Sequence, residues 1–138
     1  MKVNSHHFAA LLLALFCLTT GAAAQSERRI APPPSLDCPR DNTTSFTGRV
    51  VVYRRTAGAV FVRVRTDEET TEEFTLRAGR GGDLKRLFRL RGAAFRAADW
   101  RRIESRAGRL RPRMRATVWA CYEGDDPRAK LIDWSPPQ

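Results

Sequence analysis

From Phe46 onward, apolar and polar residues alternate with a period of two, the pattern of strands that bury one face. Within Phe46–Arg55, Val50 and Val52 fall on one side, while Arg49, Val51 and Tyr53 fall on the other. Thr56-Ala57-Gly58 reads as a turn. Ala59–Asp67 then repeats the alternation most cleanly, with Val60, Val62 and Val64 facing one way and Phe61, Arg63 and Arg65 the other. These two segments predict a hairpin. Glu73–Arg77 predicts a third strand with Phe74 and Leu76 inward, and Leu87–Phe95 an additional extended piece. Ala97–Ser105 predicts a helix of about two turns, with Asp99 in its first turn and Trp100 and Ile103 on its apolar side. Met114–Glu123 and Arg128–Trp134 predict a closing hairpin around the turn residues Glu123–Pro127.

The chain before Phe46 has a different character. Lys2, the apolar run Phe8–Leu18 and the small residues Ala22-Ala23-Ala24 make the three-part pattern of a secretory signal peptide over residues 1–24, with cleavage expected between Ala24 and Gln25. Its apolar run of about eleven residues falls short of the roughly 20 needed to span a bilayer. Residues 25–37, with Pro32-Pro33-Pro34, read as an extended leader, and residues 38–138 as a single domain. The expected location is periplasmic or secreted.

Export changes the chemistry available. Loss of residues 1–24 removes Cys17, His6 and His7, leaving Cys38 and Cys121 as an even pair in an oxidising compartment, so a disulfide is expected. A mature chain without histidine lacks the commonest acid–base group and imidazole metal ligand, so no cofactor or metal is expected. Any active site would rest on carboxylates such as Asp67, Glu69, Asp125 or Asp133, and the chain is read as noncatalytic. Without Lys2 the formal charge falls from +10 to +9, nearly all of it from arginine. A surplus of this size favours anionic partners.

Three strands, an extended piece, a short helix and two further strands is an order that resembles the OB-fold, a five-stranded, partly open barrel with its helix between strands three and four. The resemblance spans Phe46–Trp134 and rests on element order. It implies that the first and fourth strands are antiparallel neighbours, which brings Cys38 near Cys121. It also implies a ligand surface on strands two and three and the adjoining loops, mapping here to Tyr53, Arg54, Arg55, Phe61, Arg63 and Arg65, with Arg128 or Lys130 beside it. An SH3-like barrel and a small sandwich are the competing architectures.

The alternating arginines of Arg109–Arg115 stand in register with Thr117, Trp119 and Cys121, so pleat geometry turns Arg113 and Arg115 outward at a strand entrance. There Arg115 is expected to stack on an outward Trp119. Pro112 delays the regular strand, leaving Arg109 and Arg111 on a loop. Arg113 and Arg115 join the candidate binding residues. The expected function is a binding module for an anionic polymer or surface: envelope polysaccharide, anionic lipid or extracellular nucleic acid. The alternative is a protein-interaction domain, an envelope-assembly factor or inhibitor of a secreted enzyme, using the acidic tip Asp67–Glu73.

Overall fold

The structure, a computed structural model, describes residues 31–138. The expected signal peptide, its Ala24–Gln25 junction and the start of the leader lie outside the described residues. Every predicted strand is present; the first, third and last are longer than expected, and Leu87–Phe95 divides into two short strands. The strands are β1 (Thr43–Arg55), β2 (Ala59–Thr66), β3 (Thr71–Arg77), β4 (Phe88–Leu90), β5 (Ala93–Ala94), β6 (Glu104–Arg106), β7 (Arg109–Leu110), β8 (Arg115–Glu123) and β9 (Asp126–Ser135), of which β6 and β7 are additional to those predicted and β6 takes up the end of the expected helix. Seven form one sheet in the order β3-β2-β1-β8-β9-β4-β5, and β6 and β7 form a separate hairpin.

A five-stranded barrel is therefore not what forms. The sheet stays open, with β3 at one edge and the β4–β5 hairpin at the other. The reason lies in Leu87–Phe95. Phe88 and Leu90 bury their side chains by pairing β4 in parallel with Ile132–Trp134 of β9. Arg91 and Gly92, at φ 51° and 80°, then turn the chain back into β5. A two-residue loop with positive φ at both positions matches the twist of the strands it joins. Arg91 is held there by its N–H to the Trp134 carbonyl at 3.0 Å and its guanidinium to the Pro136 carbonyl at 2.9 Å.

The core lies on the inner face. Val60, Val62 and Val64 of β2 are each 0% exposed, as the alternation requires, and Met114 just before β8, Ala116 and Val118 of β8, and Ile132 and Trp134 of β9 share their core. Phe88 contacts Phe95, Trp100 and Trp134 edge-to-face, with centroids 5.5, 5.6 and 5.6 Å away. Such pairs add about 1 kcal/mol each beyond area burial. They dock the helical segment on the sheet.

That segment is shorter than the two turns expected. A 3₁₀ turn, Ala97–Asp99, leads into a single α-turn, α1 (Trp100–Ile103). The Asp99 carboxylate accepts the Arg96 N–H at 2.8 Å and caps its start. Its end comes at Glu104, which turns extended so that its carboxylate reaches under the sheet. Arg109 is not loop as expected but part of β7, because Gly108, at φ 75°, lets the chain reverse after β6.

The predicted faces of β1 change midway. Val50 pairs with Val64, but Val52 pairs with Arg63, so Val51 is an extra residue. In such a β-bulge two residues oppose one and the alternation shifts by one. Val51 and Val52 both lie opposite the outward Arg63. Tyr53 and Arg55, expected outward, pair with Val62 and Val60 and turn inward. Gly48 is fixed by a close approach, since a Cβ there would lie 2.1 Å from the Arg65 carbonyl oxygen.

β1 and β8 are antiparallel neighbours, with Thr43 opposite Cys121. The Cys38–Cys121 disulfide forms as expected, its Cα atoms 5.9 Å apart. It fixes the incoming chain to the outside of the sheet, helped by the Arg89 guanidinium, whose Nη2 donates to the Ser35 hydroxyl at 2.5 Å. On that side Trp119, expected outward, is only 3% exposed and lies opposite Leu131, itself 4% exposed.

Two outcomes follow from this packing. Replacing both cysteines by serine removes a crosslink spanning 83 residues and lowers the unfolding free energy by about 4 kcal/mol in urea titrations. Gly48→Ala forces β1 and β2 apart and costs at least about 3 kcal/mol in the same measurement.

Candidate functional site

Two constellations lie on the two faces of β1, and the bulge brings Tyr53 and Arg55 into the inner one. Inside, Glu104 is the buried acceptor. Arg55 donates to it twice, Nε to Oε1 at 2.7 Å and Nη2 to Oε2 at 2.9 Å, and the Tyr53 hydroxyl donates at 2.5 Å. The Arg55 guanidinium lies 4.2 Å above the Trp100 ring. Bidentate, charge-assisted bonds of this kind are the strong ones. Burial alone would raise the Glu104 carboxyl, but the hydrogen bonds from Arg55, Tyr53 and the Gly108 N–H outweigh it and hold the group below the usual carboxylate range. Burial first, then the Glu104 carboxylate, pushes the Tyr53 phenol far above its ordinary value. The group ties β1 to the helix and to the β6–β7 hairpin.

Outside, the register sets arginines side by side. Arg49 lies directly opposite Arg65 on β2 and directly opposite Arg115 on β8. Adjacent strands are about 5 Å apart, so three guanidinium stems stand in one row. Like charges placed opposite each other destabilise a sheet by up to about 1 kcal/mol per pair. Asp67 offsets the end of the row, accepting from Arg115 at 2.7 and 2.5 Å, while its own N–H donates to the Thr47 carbonyl at 2.9 Å. Arg63, next along β2, donates to Glu73 at 2.7 Å. Arg54 sits 5.4 Å over the ring of Phe61, its cross-strand partner. Among the described residues, no carboxylate pairs with Arg49, Arg54 or Arg65.

Where β8 leaves β1, a cleft of about 290 Å³ opens beside the bulge. One wall is Val50–Tyr53 and the other Gly108–Arg113. Arg113 holds a positive φ of 58° next to Pro112. Arg111 is fixed to the Arg101 carbonyl at 2.9 Å.

Of the candidate residues, the outer face brings together Arg54, Phe61, Arg63, Arg65 and Arg115, with Arg113 at its margin. Tyr53 and Arg55 belong instead to the inner group. Arg128 is elsewhere: it pairs with Glu123 at 3.0 Å and stands opposite Cys121, about 20 Å along β8 from Arg115. With Lys130 and Arg77 it borders a different cleft, of about 370 Å³, between β3 and β9. Arg115 does not stack on Trp119, because Asp67 holds its guanidinium and Trp119 is buried. The carboxylates considered for catalysis belong to separate elements: Asp67 and Glu69 to the β2–β3 turn, Asp125 to the β8–β9 turn, and Asp133, which accepts the Gly92 N–H at 2.9 Å, to β9.

Arg49, Val51 and Glu104 complete the two constellations. Only strand register could have revealed Arg49. Glu104 carried one legible signal, a carboxylate at the end of a short amphipathic helix in a strongly basic stretch. Compared with protein-family models, curated proteins and solved structures, the chain matches none of them.

The inner group makes stability depend on acid. With its folded pKa depressed, Glu104 contributes stability that is complete above its unfolded value, near 4.3, and is lost as pH falls through the folded value. Glu104→Gln is expected to start about 3 kcal/mol lower at neutral pH and to lose less than the parent between pH ~5 and ~3, by urea unfolding at each pH.

Proposed function

We propose that this protein is an exported, noncatalytic binding module for an anionic polymer or surface, held on the outer face of β1, β2 and the entrance of β8. The observation that carries this reading is the row Arg65–Arg49–Arg115. A fold selected only for stability has no reason to set three arginines directly opposite one another across three strands. An anionic ligand turns that repulsion into a binding contribution, because each guanidinium presents a fork of donors suited to phosphate, sulfate or carboxylate. Arg54, with Phe61, extends the face along the strands.

An OB-like arrangement is part of the proposal. The five long strands follow the order β3-β2-β1-β8-β9, the helical segment falls between the third and fourth of them, and OB-folds present ligands to the faces of strands two and three. The disulfide is consistent with an oxidising, exported compartment. No helix among the described residues is long and apolar enough to cross a membrane.

A protein partner is the second reading. It is favoured by Glu68, Glu69 and Glu72, which leave the acidic tip exposed or half-buried and outside the ion pairs made by Asp67 and Glu73.

The test is binding of the oxidised protein to dextran sulfate and to DNA over a range of salt concentrations. Binding should weaken steeply with salt, and Arg49→Gln or Arg65→Gln should each lower the log–log slope by about one. Arg49→Gln should at the same time raise stability by about 0.5 kcal/mol by relieving the row. Arg128→Gln, remote from the face, should leave the slope unchanged. Absence of binding at low salt, or slopes indifferent to Arg49 and Arg65, would turn the assignment to the protein partner.

A further inference from the structure

We infer that the outer face docks on an anionic lipid bilayer, with the cleft beside Val51 receiving the phosphate and glycerol region of a phospholipid. The inference rests on the polyanion reading and names the anion. What carries it is the joining of exposed apolar surface to unpaired positive charge at one place. Val51 is 48% exposed, and Tyr122, at the far end of β8, is the other large hydrophobic side chain left open among the described residues. The bulge sets Val51 on the outer side with Val52, between Arg49 and Arg63. Across the cleft stand Arg109, Arg111 and Arg113, with Leu110 and Pro112 between them.

The nearby carboxylates do not cancel this charge. Asp67 is engaged by Arg115, Glu73 by Arg63, and Glu104 is buried beneath Arg55 and Tyr53.

A sulfated polysaccharide offers charge without apolar surface, so it gains nothing from Val51. Single-stranded nucleic acid needs open aromatic rings for its bases. Here Phe61 lies under Arg54, Tyr53 faces the core and Trp119 is buried. A bilayer surface supplies both partners together: phosphates for the guanidiniums, and an interfacial zone that accepts a small apolar side chain. The cleft has the same two-sided character, a valine wall facing an arginine wall.

The test compares phosphatidylcholine vesicles, the same vesicles with about one part in four phosphatidylglycerol, and dextran sulfate, at low and moderate salt. The oxidised protein should sediment with the anionic vesicles and leave the neutral ones free. Val51→Ser should weaken vesicle binding about fivefold and leave dextran sulfate binding unchanged, while Val51→Leu should restore it. Near-ultraviolet circular dichroism checks that both variants keep the parent fold. If dextran sulfate binds and anionic vesicles do not, or if Val51→Ser leaves vesicle binding intact, the lipid inference falls and the polyanion reading stands. If neither binds, both fall.

Discussion

One extra residue in β1, Val51, decides what each side of this sheet does. Before it, Arg49 points out and Val50 points in. After it, the alternation is displaced by one, so Tyr53 and Arg55 arrive on the inner side, opposite Val62 and Val60. There they meet Glu104 and tie the first strand to the helix and the β6–β7 hairpin. Without the displacement those groups would face solvent and the carboxylate beneath would be buried unpaired, a costly arrangement. The same displacement leaves Val51 and Val52 outside among arginines. The inner staple and the outward valine pair thus have a common origin in the backbone.

On the outer face, stability and the clustering of positive charge pull against each other. Arg65, Arg49 and Arg115 repel one another, and Asp67 relieves only one end of the row. The fold tolerates this because its support lies elsewhere: the fully buried valines of β2, the aromatic cluster around Phe88, and a disulfide that fastens the entry to β1 against the exit of β8. Exposed ion pairs such as Arg63–Glu73 add little and mainly keep side chains ordered.

Residues with strict alternation were legible in the sequence. Val60, Val62 and Val64, and Met114 through Ala120 at every second position, lie inside as their period demands. So was the cysteine pair, since only Cys38 and Cys121 remain once the expected signal peptide is set aside, and the OB-fold resemblance implies that they come close. What was not legible depends on pairing between distant segments. Nothing in Val50-Val51-Val52 marks which valine is extra, so a strict period of two places Tyr53 and Arg55 outside. Trp119 reads as outward by parity and is, but local pattern cannot tell that the incoming chain is fastened to that side. Nor can it tell that Arg49 stands between Arg65 and Arg115. The β4–β5 hairpin, which keeps the sheet from being a five-stranded barrel, rests on a parallel pairing with β9 more than forty residues later.

Everything on both faces of β1 depends on its register against β2, and nuclear Overhauser contacts between the two strands read that register directly. Cross-strand contacts should join Val50 to Val64, Tyr53 to Val62 and Arg54 to Phe61, with Val51 left over. Unbroken alternation, with contacts joining Val51 to Arg63 and Tyr53 to Phe61, would contradict it.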